Sequence, residues 1–297
     1  MPSSLPVFIV GCGDIGRRLA LRFLTEGCPV AALARTPLRA ETLKADGITP
    51  YLGDLDEAAP PLTLPGDIET LYYLAPPPAS GPGDPRMAHC LAALQNVPKR
   101  LIYISTSGVY GDCAGAWIDE TAPLNPKTDR ARRRVQAELL VEDYALRTGC
   151  EVLVLRVPGI YGDGRLPEAR IRQGLPVIEP AEAPFSNRIH ADDLAQACFK
   201  ARTSGIPGDA YNISDGHPST MTDYFWQVAD HLGLPRPPAV PLAEARKVLS
   251  PSMWSFMEES KRLDNRKMCE ELGVVLRYPT LQDGLRATAQ GASPRNL

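Results

Sequence analysis

Residues 7–35 read VFIVGCGDIGRRLALRFLTEGCPVAALAR, an apolar strand, the spacing Gly11-x-Gly13-x-x-Gly16, a helix, and a second apolar strand that ends on a base. A dinucleotide pyrophosphate site needs this order. Gly11 permits a tight turn, Gly13 lets backbone approach the phosphates, and Gly16 lets the helix close on the strand. The start of the helix adds unpaired N–H groups and the positive end of its dipole. The turn therefore names Gly11, Cys12, Gly13, Asp14, Ile15 and Gly16 as cofactor contacts, against the plainer reading of a structural turn in some other α/β protein.

The end of the second strand bears on which dinucleotide is bound. A carboxylate there would accept the adenosine ribose hydroxyls and repel a 2′-phosphate, whereas this chain has Arg35, then Thr36 as a helix cap and Pro37 at the first helical position. NADP(H) is favoured over NAD(H), because the planar guanidinium pairs well with phosphate. Arg35 as a mere solvated loop charge is the alternative.

The chain has 297 residues, 44% of them hydrophobic, enough for a nucleotide domain and a smaller partner. Its apolar runs, such as 5–10 and 152–157, fall short of a membrane span, and no export signal is visible. Seven cysteines lack any Cys-x-x-Cys pair, so a reducing cytoplasm is expected, with no zinc site or disulfide framework. Cys12 reads as a small filler of the turn rather than an oxidisable thiol. A net charge of −3 argues against general affinity for nucleic acid. Arg130, Arg132, Arg133 and Arg134 crowd one helix start but point in different directions, and read as a solvated face. The four histidines have no ligand-like spacing, so no metal is expected.

Strand and helix patterns alternate through the first half, the signature of a Rossmann-type, doubly wound parallel sheet covered on both faces. Strands are expected at 5–10, 29–34, 48–51, 70–74, 101–105 and 151–157, with helices at 16–26, 86–95 and 129–147. The proline-rich stretch 76–85 is a loop at the carboxyl edge of the sheet, where open α/β sheets bind ligands. After Tyr161 the pieces shorten, with helices near 192–202, 221–232, 242–249 and 265–272. Residues 1–160 are expected to form the nucleotide domain and 161–297 a smaller, mostly helical substrate lobe, with about 189–214 returning to the first through a strand at 210–213.

Beyond the fifth strand the chain reads Ser105-Thr106-Ser107-Gly108-Val109-Tyr110-Gly111. Here it resembles the extended branch of the short-chain dehydrogenase/reductase superfamily, the nucleotide-sugar epimerases and dehydratases. Gly53-Asp54-Leu55 looks like that family's adenine-side contact, Leu155 to Gly162 like its sixth strand and loop, and Asn187-Arg188-Ile189-His190-Ala191-Asp192-Asp193 like its second-lobe signature. The resemblance covers nearly the whole chain. It adds Asp54, Leu55 and Ala75 to Arg35 and Thr36 on the cofactor wall. It also makes Tyr161, Arg165, Asn187, Arg188 and His190 candidate substrate contacts.

In that family a hydroxyl four residues before the tyrosine of Val-Tyr-Gly bonds the reacting oxygen, which implies Thr106; local backbone capping by Ser105, Thr106 and Ser107 is the alternative. The family's proton-transfer pair is a tyrosine and a lysine four residues on, followed four residues later by a glutamate. Counting back from Glu138 puts Arg134 at the lysine position and Arg130 at the tyrosine position. The only tyrosine of that helix, Tyr144, lies roughly 15 Å further along the axis. A permanently charged guanidinium is no general acid/base, so Arg130 is left to bind an anionic substrate or the cofactor ribose. Such a double replacement is similar to the atypical branch of the superfamily. Tyr110 and Tyr161 are candidates to replace the missing phenol, and His190 is either a group at the cleft mouth or a hydrogen-bonded structural residue.

Two functions follow. One is an NADP(H)-dependent oxidoreductase or nucleotide-sugar epimerase/dehydratase-like enzyme acting on a small polar substrate, with Thr106 polarising the oxygen and a homodimer left open. The other is a non-catalytic NADP(H)-sensing regulatory protein. An enzyme requires a closed pocket reaching the nicotinamide, whereas a sensor requires only the adenine and phosphate half.

Overall fold

The computed structural model describes residues 5–57 and 62–290. Seven strands form one sheet: β1 (Leu5–Val10), β2 (Val30–Ala34), β3 (Thr49–Leu52), β4 (Ile68–Tyr73), β5 (Arg100–Thr106), β6 (Glu151–Val157) and β7 (Ala210–Asn212). Their order across the sheet is β7-β6-β5-β4-β1-β2-β3, and every pairing is parallel. The order reverses direction at β1, which lies between β2 and β4. That switch point opens the crevice in which α/β sheets take ligands.

Both faces of the sheet are covered, so its strands read as continuous apolar runs. Side chains alternate across β1: Val7 and Ile9 join one core, Phe8 and Val10 the other, and all four are fully buried. The first core is completed by Leu19 and Phe23 of helix α1 (Asp14–Thr25). The second takes Met87 and Cys90 of α3 (Pro85–Ala92) and Ala137, Val141 and Tyr144 of α4 (Asp129–Thr148). Between them in sequence, α2 (Pro37–Ala45) starts where Thr36 Oγ1 accepts the Arg39 amide at 3.2 Å, as the Thr-Pro pair predicts. Helix α5 (Ala191–Lys200) packs on the first core through Leu194, Ala197 and Cys198. Past it, α6 (Met221–His231) anchors a third core with Tyr161, Ile171 and Phe225.

Several expectations shift. Helix α1 begins at Asp14 rather than 16, because Gly13 takes the cap position, and α3 stops three residues short of 95. Helices Pro251–Met257 and Leu281–Gln290 were not foreseen. The arginine run is not a solvated face: Arg133 is buried and donates to Gly81 O at 2.9 Å and Ala79 O at 3.3 Å, tying the proline-rich loop to α4. That loop leaves backbone carbonyls that no ladder satisfies, and a guanidinium supplies the donors. Of the four, Arg130 and Arg132 are exposed, Arg132 paired with Asp129.

Two minimal strand pairings carry distant segments to the crevice. Gly159–Tyr161 runs parallel to Arg188–His190, and Trp117–Ile118 runs parallel to Arg262–Leu263.

Candidate functional site

Each glycine of the first turn has its own reason to be there. Gly11 has φ +89°, and a Cβ on it would lie 2.4 Å from the Ala75 nitrogen, so the turn after β1 touches the chain leaving β4. A Cβ on Gly16 would meet Gly11 O at 3.0 Å and the Ile9 side chain at 3.3 Å, which is helix closing on strand. Around Gly13 nothing lies within 4 Å of that position; the backbone there faces open space. No side chain caps the start of α1. Its first amides have no side-chain acceptor among the described residues, the arrangement that a pyrophosphate cradle requires.

This turn forms one wall of a cavity of about 480 Å³. The sequence-expected Gly11 to Gly16, Arg35, Asp54, Leu55 and Ala75 all line it, while Thr36 serves as the α2 cap. Cys12 is a buried filler: burial pushes its thiol up to about 11. Two further arginines stand here that sequence reading missed. Arg39 donates to Cys12 O, and Arg86 forks onto Asp56 with two bonds of 2.6 Å. Arg39 falls in the first turn of α2, just after the Arg35-Thr36-Pro37 cap, and that nearness in sequence was the available signal. Arg35 is 63% exposed and held only loosely, 3.5 Å from Asp54 and 3.9 Å from Asp56. Arg165, expected at the substrate, lies in this cavity instead. Its Nε meets Asp14 Oδ2 at 2.6 Å, because the loop after Tyr161 reaches across to the glycine turn.

A second cavity of about 420 Å³ adjoins the first, and Ile160 lines both. Thr106 stands at its edge, where β5 ends, with Oγ1 accepting the Gly108 amide at 3.3 Å. Helix α4 presents an arginine to each cavity. Arg130 lines the second, its guanidinium 4.3 Å from the centre of the Phe256 ring. Arg134, one turn on, lines the first and donates to Ile104 O at 2.9 Å and the Tyr103 hydroxyl at 3.2 Å. The junction of the two cavities thus has guanidiniums where the resembling family has a phenol and an amine.

No described tyrosine takes that place from the sequence positions considered. Tyr110 is turned inward: it donates to Asn212 Oδ1 at 2.8 Å and accepts from Arg156 at 2.9 Å. Burial pushes its hydroxyl up to about 12. The same buried network joins Ser105 to Glu138 and Glu138 to Arg156 at 2.9 Å, so Glu138 is a structural anchor of α4 on the sheet. Tyr161 lines the second cavity, but its hydroxyl donates to Thr280 O at 3.2 Å. His190 lies in neither lining. It caps α5 by accepting the Asp192 amide at 3.2 Å, packed between the rings of Tyr161 and Tyr278, and burial lowers its pKa.

Of the second-lobe signature, Asn187 and Arg188 reach the second cavity. Asn187 bonds Lys261 O and the Leu263 amide, holding residues 261–263 in place. That segment brings in Glu259 and Lys261, which sequence reading did not assign because long-range contacts, the Asn187 bonds and the pairing with Trp117–Ile118 among them, carry them there.

Fold and turn define the class: a Rossmann-type dinucleotide-binding protein of the extended short-chain dehydrogenase/reductase kind. A family model described as the NAD dependent epimerase/dehydratase family matches residues 86–214. Protein YeeZ of Escherichia coli K12 is 30% identical over 284 residues, spanning 92% of this chain and 96% of its own length. Among solved structures, a conserved protein of unknown function from Silicibacter pomeroyi superposes with a TM-score of 0.82 at 32% identity, covering 98% of this chain and all of that one. The dTDP-glucose 4,6-dehydratase DesIV of Streptomyces venezuelae, solved with NAD bound, gives 0.73 at 20% identity over 96% of each chain, a likeness of fold. The chain belongs to the NAD-dependent epimerase/dehydratase family.

Proposed function

We propose that this protein binds NADP(H) in the glycine-turn cavity and acts as an oxidoreductase or epimerase/dehydratase-like enzyme on a small polar substrate in the adjoining cavity. The observation that carries this reading is the contact of the two cavities at Ile160, with Thr106 on the substrate side and Arg134 on the cofactor side. A sensor of cofactor occupancy has no need of the second cavity, and this supports the enzyme over the regulatory reading.

The bound nicotinamide would supply hydride chemistry. The chain's own residues do the rest. The uncapped amides of α1 bind phosphate, Arg35 and Arg39 favour a 2′-phosphate over a bare ribose, and Arg134 sits at the junction as a fixed positive charge. The Thr106 hydroxyl, held at a strand end, donates to the reacting oxygen as charge develops on it. Dissociation constants of NADPH and NADH test the cofactor assignment: NADPH binds more tightly, and Arg35→Asp reverses the order. Tighter NADH binding by the wild type refutes it. For the reaction, NADPH oxidation is screened with sugar nucleotides, aldehydes and ketones. Thr106→Val lowers the turnover of any substrate found by about 10²-fold at unchanged NADPH affinity. Unchanged turnover refutes the role of Thr106.

A further inference from the structure

Three cations line the second cavity, Arg130, Arg188 and Lys261, against a single carboxylate, Glu259. Lys261 takes that carboxylate at 2.6 Å. Both guanidiniums are left without an ion-pair partner among the described residues. Arg188 is only 4% exposed, yet its N–H groups go to neutral acceptors: Ser186 Oγ at 2.7 Å, Ser219 Oγ at 2.9 Å and Thr220 O at 3.5 Å, with the Tyr224 ring 4.6 Å away. Asp215 and Asp223 act on its charge from further off, and neither forms an ion pair with it among the described residues: Asp215 Oδ1 takes the His217 amide and Asp223 the Gln227 side chain. Arg130 rests on Phe256. Burial works against the charge of Arg188. A cation held away from water by neutral groups is costly unless an anion joins it. Arg130 is more open to solvent, with Glu259 as the carboxylate that acts on it, and it stands free to meet a ligand.

We propose that the substrate is itself a small anion, a hydroxy or oxo acid, whose carboxylate is taken by Arg130 while Arg188 adds the attraction of a second fixed cation. The position of Arg130 argues for the size. It lies one helical turn from Arg134, which lines the cofactor cavity, so an anion on Arg130 sits beside the reacting carbon. In a sugar nucleotide the diphosphate is separated from the far side of the ring by several bonds, and its charge would fall away from this arginine. A carboxylate within one or two bonds of the reacting oxygen meets Arg130 and Thr106 together. Arg130 then serves as a planar, bidentate clamp that fixes the substrate against the junction, a task for which guanidinium suits better than phenol. The placing of this anion beside Thr106 rests on the function proposed above; the anion site itself does not.

The test is a calorimetric titration of the full chain with malonate, with dimethyl malonate as the neutral analogue and with UDP, each with and without NADPH. Malonate binds at least tenfold more tightly than its ester. Arg130→Gln weakens malonate at least tenfold, Arg130→Lys restores part of the loss, and NADPH affinity stays within twofold in both variants. Arg130 faces the cavity rather than the core, so these variants fold. Malonate binding no tighter than the ester, or unaffected by Arg130→Gln, overturns the proposal. So does UDP binding at least tenfold tighter than malonate and indifferent to Arg130. Loss of NADPH binding with malonate binding intact sinks the dinucleotide reading and leaves the anion site standing.

Discussion

Arg165 Nε lies 2.6 Å from Asp14 Oδ2, and this ion pair spans the mouth of the cofactor cavity between residues 151 positions apart. Asp14 occupies the first turn of α1, where the proposed pyrophosphate would approach, and Arg18 grips its other oxygen at 2.9 Å. Burial alone would raise this carboxyl, but hydrogen bonds from Arg165 and Arg18 outweigh it and hold the group below the ordinary carboxylate range. Asp14 therefore stays charged at neutral pH and keeps Arg165 engaged. Asp14→Asn releases Arg165 toward phosphate, while Arg18 stays paired with Asp192, and it removes a repelling charge. NADPH binds about fivefold more tightly in the variant, ~1 kcal/mol, the scale of an exposed ion pair. Fluorescence titration reads the change, and weaker binding contradicts it.

The glycines of the turn separate stability from binding. Gly11→Ala puts a methyl 2.4 Å from the Ala75 backbone at a positive φ, so the thermal midpoint of the cofactor-free protein falls by several degrees. Gly13→Asp meets open space, leaves that midpoint within about a degree, and abolishes NADPH binding by setting a carboxylate among the phosphates. Differential scanning fluorimetry with and without NADPH distinguishes the two. Retained affinity in the Gly13 variant removes the turn as the phosphate site.

Glu138 and Arg156 form a buried pair, 8% and 10% exposed, to which Ser105 and Tyr110 are also bound. Glu138→Gln leaves the guanidinium charged and unneutralised under α4. Urea unfolding shows a loss of about 3–5 kcal/mol, a cost set by the abandoned charge more than by the lost bond. A loss below 1 kcal/mol refutes this account of the anchor.

Asp215 is 2% exposed; its Oδ1 accepts the His217 amide at 3.0 Å, and its Oδ2 has no partner among the described residues. Burial pushes the carboxyl up to about 6 from an ordinary 3.8, against the pull of that amide and of Arg188. A carboxyl raised on folding binds its proton more tightly in the native state. Its contribution to stability is therefore complete below pH 4 and is lost as pH rises through 6, to a limit of about 3 kcal/mol. Asp215→Asn cannot lose it, so the variant's stability relative to wild type grows between pH 4 and 7 and is level by pH 8. A pH-independent difference in the urea midpoints contradicts the shift.

The chain order of β1, glycine turn, α1 and β2 was legible because each step is local: alternation within a strand, a glycine at a positive φ, a Thr-Pro cap. The parallel sheet followed from repetition of that unit, and even the return of β7 was readable at 210–213. What escaped was decided at long range. Arg133 read as a solvated charge, yet it holds the proline-rich loop, because that loop leaves carbonyls that its guanidinium satisfies. Arg165 was placed with the substrate because its loop follows Tyr161, but Asp14 draws it to the cofactor side. Glu259 and Lys261 carry no local signal of a cavity wall.

The two-residue ladder between Trp117–Ile118 and Arg262–Leu263 has an evolutionary corollary. It recruits a far part of the polypeptide, residues 255–261, as one side of the second cavity, while the cavity at the glycine turn has none of these residues in its lining. Relatives can therefore exchange residues 255–261 and acquire a new diet without renegotiating their coenzyme.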